Sequence, residues 1–183
     1  MSTQTSQRLD EVLPLITDAD FLASRGIGNE IAFHIFDYPA QDELVVRQHV
    51  EWLTTRIPKD NPQLRVLSLN LLDVVIEYLK DRDLYDKALN MSATKSDSDV
   101  LKALSGPLSA NRVRDFIADR YQPQDWDLVL MSGVGSVWPL LRAHSLLSNL
   151  HAIMGSVPLI MFYPGSFDGA TLSLFGEIAA AST

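Results

Sequence analysis

The segment Asp127 to Pro139 (Asp-Leu-Val-Leu-Met-Ser-Gly-Val-Gly-Ser-Val-Trp-Pro) constrains the fold of this chain more than any other. A short apolar run leads into a loop with two glycines, and a proline and a periodic apolar stretch follow. A buried parallel strand delivers its carboxyl end to a ligand-facing loop in this way. The same grammar recurs where Ile31–Phe36 meets Asp37-Tyr38-Pro39, where Leu64–Asn70 runs into Leu71, and where Val157–Phe162 meets Tyr163-Pro164-Gly165. Four strands are therefore expected: Ile31–Phe36, Leu64–Asn70, Leu128–Ser132 and Val157–Phe162.

Helical spacing fills the intervals. Leu9, Val12, Leu13 and Ile16 predict a first helix limited by Pro14, and a short turn should end near Gly26 and Gly28. Val46, Val50, Leu53 and Ile57 predict a second helix running to Pro58, and Leu71 to about Leu79 a third. Asp81-Arg82-Asp83 bends the chain before another turn or two at Leu84–Leu89. The polar run Ser92–Asp99 reads as a surface loop. Helices then cover Val100–Leu104 and Ala110–Tyr121. Pro139 is expected in the first turn of a helix that buries Leu140, Leu141, Leu147, Leu150 and Ile153 and stops at Gly155. Strands alternating with helices predict one α/β domain over residues 1–183. It is a three-layer fold with a central, mostly parallel sheet covered by helices on both faces, Rossmann-like or degenerate P-loop-like.

Charge and composition exclude several functions. Acidic residues number 23 against 15 basic, a formal net charge of -8, which disfavours direct binding to a phosphate backbone. Cysteine is absent, so disulfides, thiol nucleophiles and cysteine-based zinc sites are excluded, as suits a reducing cytoplasm. No apolar run reaches the ~20 residues of a membrane helix. The reading is a soluble cytoplasmic protein without membrane contact.

Each catalytic pattern is incomplete. In Gly133-Val-Gly135-Ser-Val-Trp138 the third glycine of a dinucleotide fingerprint is replaced by Trp138. The glycines can serve a phosphate on a helix N-terminus or simply a tight turn. No P-loop string occurs, and the lysines (Lys59, Lys80, Lys87, Lys95, Lys102) avoid the glycine loops. Asp37 and Asp168 lie just beyond strand ends and form the best carboxylate pair for an ion, although loop aspartates commonly cap turns. The 4 histidines include His144 and His151 on one helix, too few for a metal site. Arg142 suits an anion or a partner's carboxylate, or a local salt bridge. Tyr38, Trp138, Tyr163 and Phe167 stand at strand ends, where large aromatic residues close a core or anchor a protein interface.

The strings Ile35-Phe36-Asp37-Tyr38-Pro39, Glu51-Trp52-Leu53, Leu71-Leu72-Asp73, Ser132–Pro139, Leu141-Arg142-Ala143-His144 through Leu150, Pro158–Gly165, Asp168-Gly169 and Leu174-Phe175-Gly176 follow one another along the chain. Taken in that order, they resemble the BrxB family of bacteriophage exclusion (BREX) systems. The resemblance spans about Phe36 to Gly176. It implies a component of a multi-protein phage-defence system that also encodes a methyltransferase, a large ATPase and a PglZ-type phosphatase-like protein. The family has no assigned catalytic residue. Asp37, Tyr38, Gly133, Gly135, Arg142, His144, Tyr163, Gly165 and Asp168 are therefore motif positions only, with Trp138 added as a candidate for ligand or partner binding. The expectation is a non-catalytic adaptor that needs no cofactor or metal and binds other BREX proteins, the PglZ-type component first. The alternative is a nucleotide-binding or metal-dependent phosphohydrolase-like domain using Gly133 and Gly135 with Asp37 and Asp168. The resemblance departs at the end. The family pattern continues into another apolar segment, whereas this sequence runs out at Ala179–Thr183, leaving a final strand unassigned.

Overall fold

A computed structural model describes residues 3–22, 33–169, 171–175 and 178–179. Helices α1 (Thr3–Asp10), α2 (Val12–Ile16) and α3 (Ala19–Leu22) come first. Strand β1 (Phe33–Tyr38) leads to α4 (Glu43–Asp60), and β2 (Val66–Asn70) runs directly into α5 (Leu71–Asp81). Then come α6 (Tyr85–Thr94), α7 (Asp97–Ser105), α8 (Ala110–Tyr121), β3 (Leu128–Ser132), α9 (Val134–Val137) and α10 (Ala143–Met154). Strands β4 (Leu159–Phe167), β5 (Leu172–Leu174) and β6 (Ile178–Ala179) complete the described chain. The expected turn near Gly26 and Gly28, and Ile31 and Ala32 of the first predicted strand, lie outside the described residues.

Four strands are parallel. β4 has β1 on one side and β3 on the other, and among the described residues β2 pairs only with β3. The chain thus crosses from β1 over two strands to β2, then returns through β3 to β4. Right-handed crossovers running in opposite directions put their helices on opposite faces. The packing agrees. Leu9, Val12, Val46, Val50, Leu53 and Ile57 bury against Phe36, Leu128, Leu130, Ile160 and Phe162. On the other face Val74, Val75, Tyr78, Val113, Phe116, Ile117, Leu146 and Leu150 cover Leu67, Leu69, Val129, Met131, Leu159 and Met161. The mostly parallel, three-layer α/β architecture is therefore present. An antiparallel addition was not foreseen: the end of β4 pairs with β5, and β5 with β6, where the sequence left a last strand unassigned.

Several local expectations change. The first predicted helix is two, broken at Glu11, with Pro14 inside the second. Ser92–Asp99 is not a loop: α6 and α7 take all of it except Lys95 and Ser96, and the Ser96 hydroxyl accepts from the Asp99 N–H to cap α7. Pro139 does not open a helix either. The residue before a proline is driven from the helical region, and Trp138 is extended (φ -72°, ψ 139°), so α9 stops and the long helix starts at Ala143.

Candidate functional site at the carboxyl end of the sheet

The strand order reverses beside β1 and β4. A crevice at such a switch point is where open α/β sheets bind ligands. The facing residues are Asp37 opposite Tyr163 and Tyr38 opposite Pro164. Here the chain occupies its own crevice. β4 continues to Phe167, whose N–H donates to Asp37 Oδ2 at 3.2 Å. Arg8 of α1 donates through Nη2 to Asp37 Oδ1 and through Nη1 to the Asp37 carbonyl, each at 2.7 Å. Its guanidinium also lies over the Phe36 ring, 4.7 Å from the centroid. Asp37 thus clamps α1, β1 and the end of β4 together.

Tyr38 and Tyr163 face inward. The Tyr38 hydroxyl donates to Glu43 Oε2 at 2.6 Å, and burial, then the Glu43 hydrogen bond and charge, push it well above the usual phenol range. Burial raises the Tyr163 phenol as well. The exposed aromatic residues at this end are Trp138, Phe167 and Phe175. Trp138 and Phe175 meet edge to face, with centroids 6.2 Å apart and an interplanar angle of 84°. Phe175 holds φ 56°, an uncommon conformation for a side chain of its size.

The glycine loop is filled from within. Gly133 is left-handed (φ 73°), and a Cβ there would collide with Asn70 Oδ1. The same Oδ1 accepts from the Leu72 N–H at 3.0 Å and caps α5. A Cβ on Gly135 would come within 2.9 Å of Pro164 Cγ and 3.1 Å of Phe175 Cε1. One on Gly165 would strike the Ser173 carbonyl of β5. All three glycines allow protein to approach protein. The helix after the loop, α9, is four residues long and offers little dipole.

The remaining candidates are spread out. Asp168 Oδ1 accepts from the Thr171 N–H at 2.7 Å and braces the β4–β5 turn. Arg142 is exposed just before α10, with no ion-pair partner among the described residues. His144 falls in the first turn of α10, and its side chain lies outside the described residues. His151 stacks on Phe33 at 4.0 Å and 15°. Asp127 belongs to the opposite end, where bonds from Arg65 hold its carboxyl below the usual range. Among the described residues no group of three or more His, Asp or Glu side chains is arranged to hold a metal. Sequence reasoning missed Asn70, Arg8 and Phe175. Only Asn70 carried a signal, as an asparagine directly before a helical run.

Comparison with known proteins relates this chain to one family. The sequence profile described as BrxB, BREX protein BrxB, matches residues 67–183. A Bacillus cereus (strain H3081.97) protein named BREX protein BrxB is 41% identical over 177 residues, covering 94% of this chain and 91% of that protein. An Escherichia coli O9:H4 (strain HS) protein of the same name is 39% identical over 166 residues, covering 91% of this chain and 82% of that protein. No solved structure gives a significant match.

Proposed function

Since the chain belongs to the BrxB family of BREX proteins, we propose that it works in BREX phage defence as a non-catalytic adaptor, docking another BREX protein at the carboxyl end of its sheet. The carrying observation is the exposed Trp138–Phe175 pair, flanked in the chain by Arg142. Tryptophan, phenylalanine and arginine are the residue types that anchor interfaces. The glycine loop beneath the pair is packed by Asn70, Pro164 and Phe175, which supports an interface in preference to a phosphate cradle. The PglZ-type component is the proposed partner.

The test is co-purification of the tagged chain with a co-expressed PglZ-type protein, followed by calorimetry on the purified pair. Trp138→Ala and Arg142→Ala are compared with Leu89→Ala, an exposed leucine on α6. Loss of a central aromatic anchor costs about 2 kcal/mol or more, about a 30-fold weaker complex. Leu89→Ala should bind as the unaltered chain does. If the purified pair does not associate at all, the proposed partner is wrong.

A further inference from the structure

One edge of the sheet is left open. β2 pairs with β3 on one side, and among the described residues no strand lies on the other. Its backbone directions follow from two hydrogen bonds. The Arg65 carbonyl accepts from the Asp127 N–H on the β3 side, and the Val129 N–H turns away from β2 to the Pro158 carbonyl. In a parallel ladder the N–H and C=O of one residue point to the same side and alternate along the strand. With Leu67 opposite Val129, Leu67 and Leu69 therefore bond β3, and Val66 and Ser68 direct their N–H and C=O outward, while the Asn70 carbonyl is taken by the first turn of α5. Edge strands are ordinarily blunted by proline, lysine or a bulge. β2, Val-Leu-Ser-Leu-Asn, has none of these, and its five pairs with β3 run unbroken. A groove of about 350 Å³ opens along this edge, with Val50 and Glu51 of α4 on one wall and Asp73, Val74 and Glu77 of α5 on the other.

We propose that the open edge of β2 takes an extended basic segment of a protein partner as an added strand. Main-chain bonds to Val66 and Ser68 supply affinity in such complexes, and alternate side chains supply selectivity. An added strand would send successive side chains toward α4 and toward α5. Both walls carry acid: Glu51 on one, Asp73 and Glu77 on the other. Arg47, the one cation among the described residues that line the groove, is paired with Glu43. Among the described residues Glu51 and Asp73 have no ion-pair partner. Lysine or arginine at neighbouring positions meets both walls, while small apolar residues beside them meet Val50 and Val74. A second copy of this chain, pairing edge to edge, would bring carboxylates against carboxylates, so charge selects against it. The proposal does not rest on the Trp138 docking face, and either can fail alone.

The probes are two capped hexapeptides, Thr-Val-Lys-Arg-Val-Thr and Thr-Val-Glu-Asp-Val-Thr, titrated into the full chain while amide exchange is followed residue by residue. The basic peptide should saturate and slow exchange at Ser68. The acidic one should bind at least about tenfold more weakly, because like charges oppose it. Glu51→Lys with Asp73→Lys, two exposed positions, should reverse that preference. Ser68→Pro removes an outward N–H that pairs with no other strand, and edge strands tolerate proline; binding should vanish in this variant at unchanged melting temperature. Equal binding of both peptides, no protection at Ser68, or binding that survives in folded Ser68→Pro would overturn the proposal. So would a dimer in sedimentation that Ser68→Pro dissolves, because the edge would then serve a second copy.

Discussion

Gly133 combines a left-handed backbone with a space already taken by the Asn70 carboxamide, which at the same moment caps α5. Alanine there meets strain from its φ and collision from its Cβ. We expect Gly133→Ala to lower stability by about 2–4 kcal/mol, read from urea unfolding. A loss below about 0.5 kcal/mol, the range of ordinary surface changes, would mean that Asn70 swings aside freely. His49 makes a second residue-scale case. Its Nε2 is buried without a hydrogen-bond partner among the described residues, and burial lowers its pKa although the Asp10 charge opposes this. Burial lowers His34 too. For both, the unfolded chain binds the proton more readily, so stability is full above the ordinary value of 6.5 and declines as pH falls below it. Melting temperature should fall between about pH 7 and pH 5.5, where histidine titrates, and His49→Gln should flatten the fall. An unchanged slope in that variant would remove His49 as a cause.

At the scale of elements, α1 is held to the sheet by the Arg8–Asp37 clamp as well as by buried Leu9. Both charged side chains are partly exposed, at 39% and 27%, so solvent screens the pair and its coupling should be about 0.5–1 kcal/mol in a double-mutant cycle. Arg8→Ala should also speed amide exchange in Thr3–Asp10 before any other helix. Uniform acceleration would show that α1 opens only with the whole fold. The clamp also marks where the sequence stopped being legible. Leu128–Met131 could be read because all four residues are buried, leaving a continuous apolar run. Val46, Val50, Leu53 and Ile57 could be read because they repeat at helical spacing on one buried face. By contrast α6 has no buried residue, so its apolar positions announced only a turn or two at Leu84–Leu89, and its end with the start of α7 looked like a loop. β4 outran its predicted end because Pro164-Gly165 looks like a stop, whereas Gly165 is there to admit the Ser173 carbonyl. At the site itself, strand ends and glycines were visible as positions. Their packing by Asn70, Arg8 and Phe175 was not, because those contacts join residues far apart in sequence.

The whole molecule carries a net charge of -8, and that sets how salt should act on it. A chain of this length has a radius of gyration of about 16 Å folded and about 45 Å unfolded. Compaction therefore concentrates like charge, at a cost on the order of a few kcal/mol without screening. Ion pairs such as Arg56–Asp60 and Arg47–Glu43 oppose this, but they are solvent-exposed, and such pairs contribute about 0–1 kcal/mol each. Repulsion should win. Raising NaCl from about 10 mM to about 150 mM shortens the screening length from about 30 Å to about 8 Å. Melting temperature should then rise by about 2–6 °C for a chain of this size. A partner segment attracted to Glu51 and Asp73 feels the same screening with the opposite sign, so its complex should weaken over the interval that stabilises the fold. A melting temperature that falls with salt would show that surface ion pairs outweigh net repulsion. A complex indifferent to salt would show that main-chain and apolar contacts along the β2 edge, and not the Glu51 and Asp73 charges, carry it.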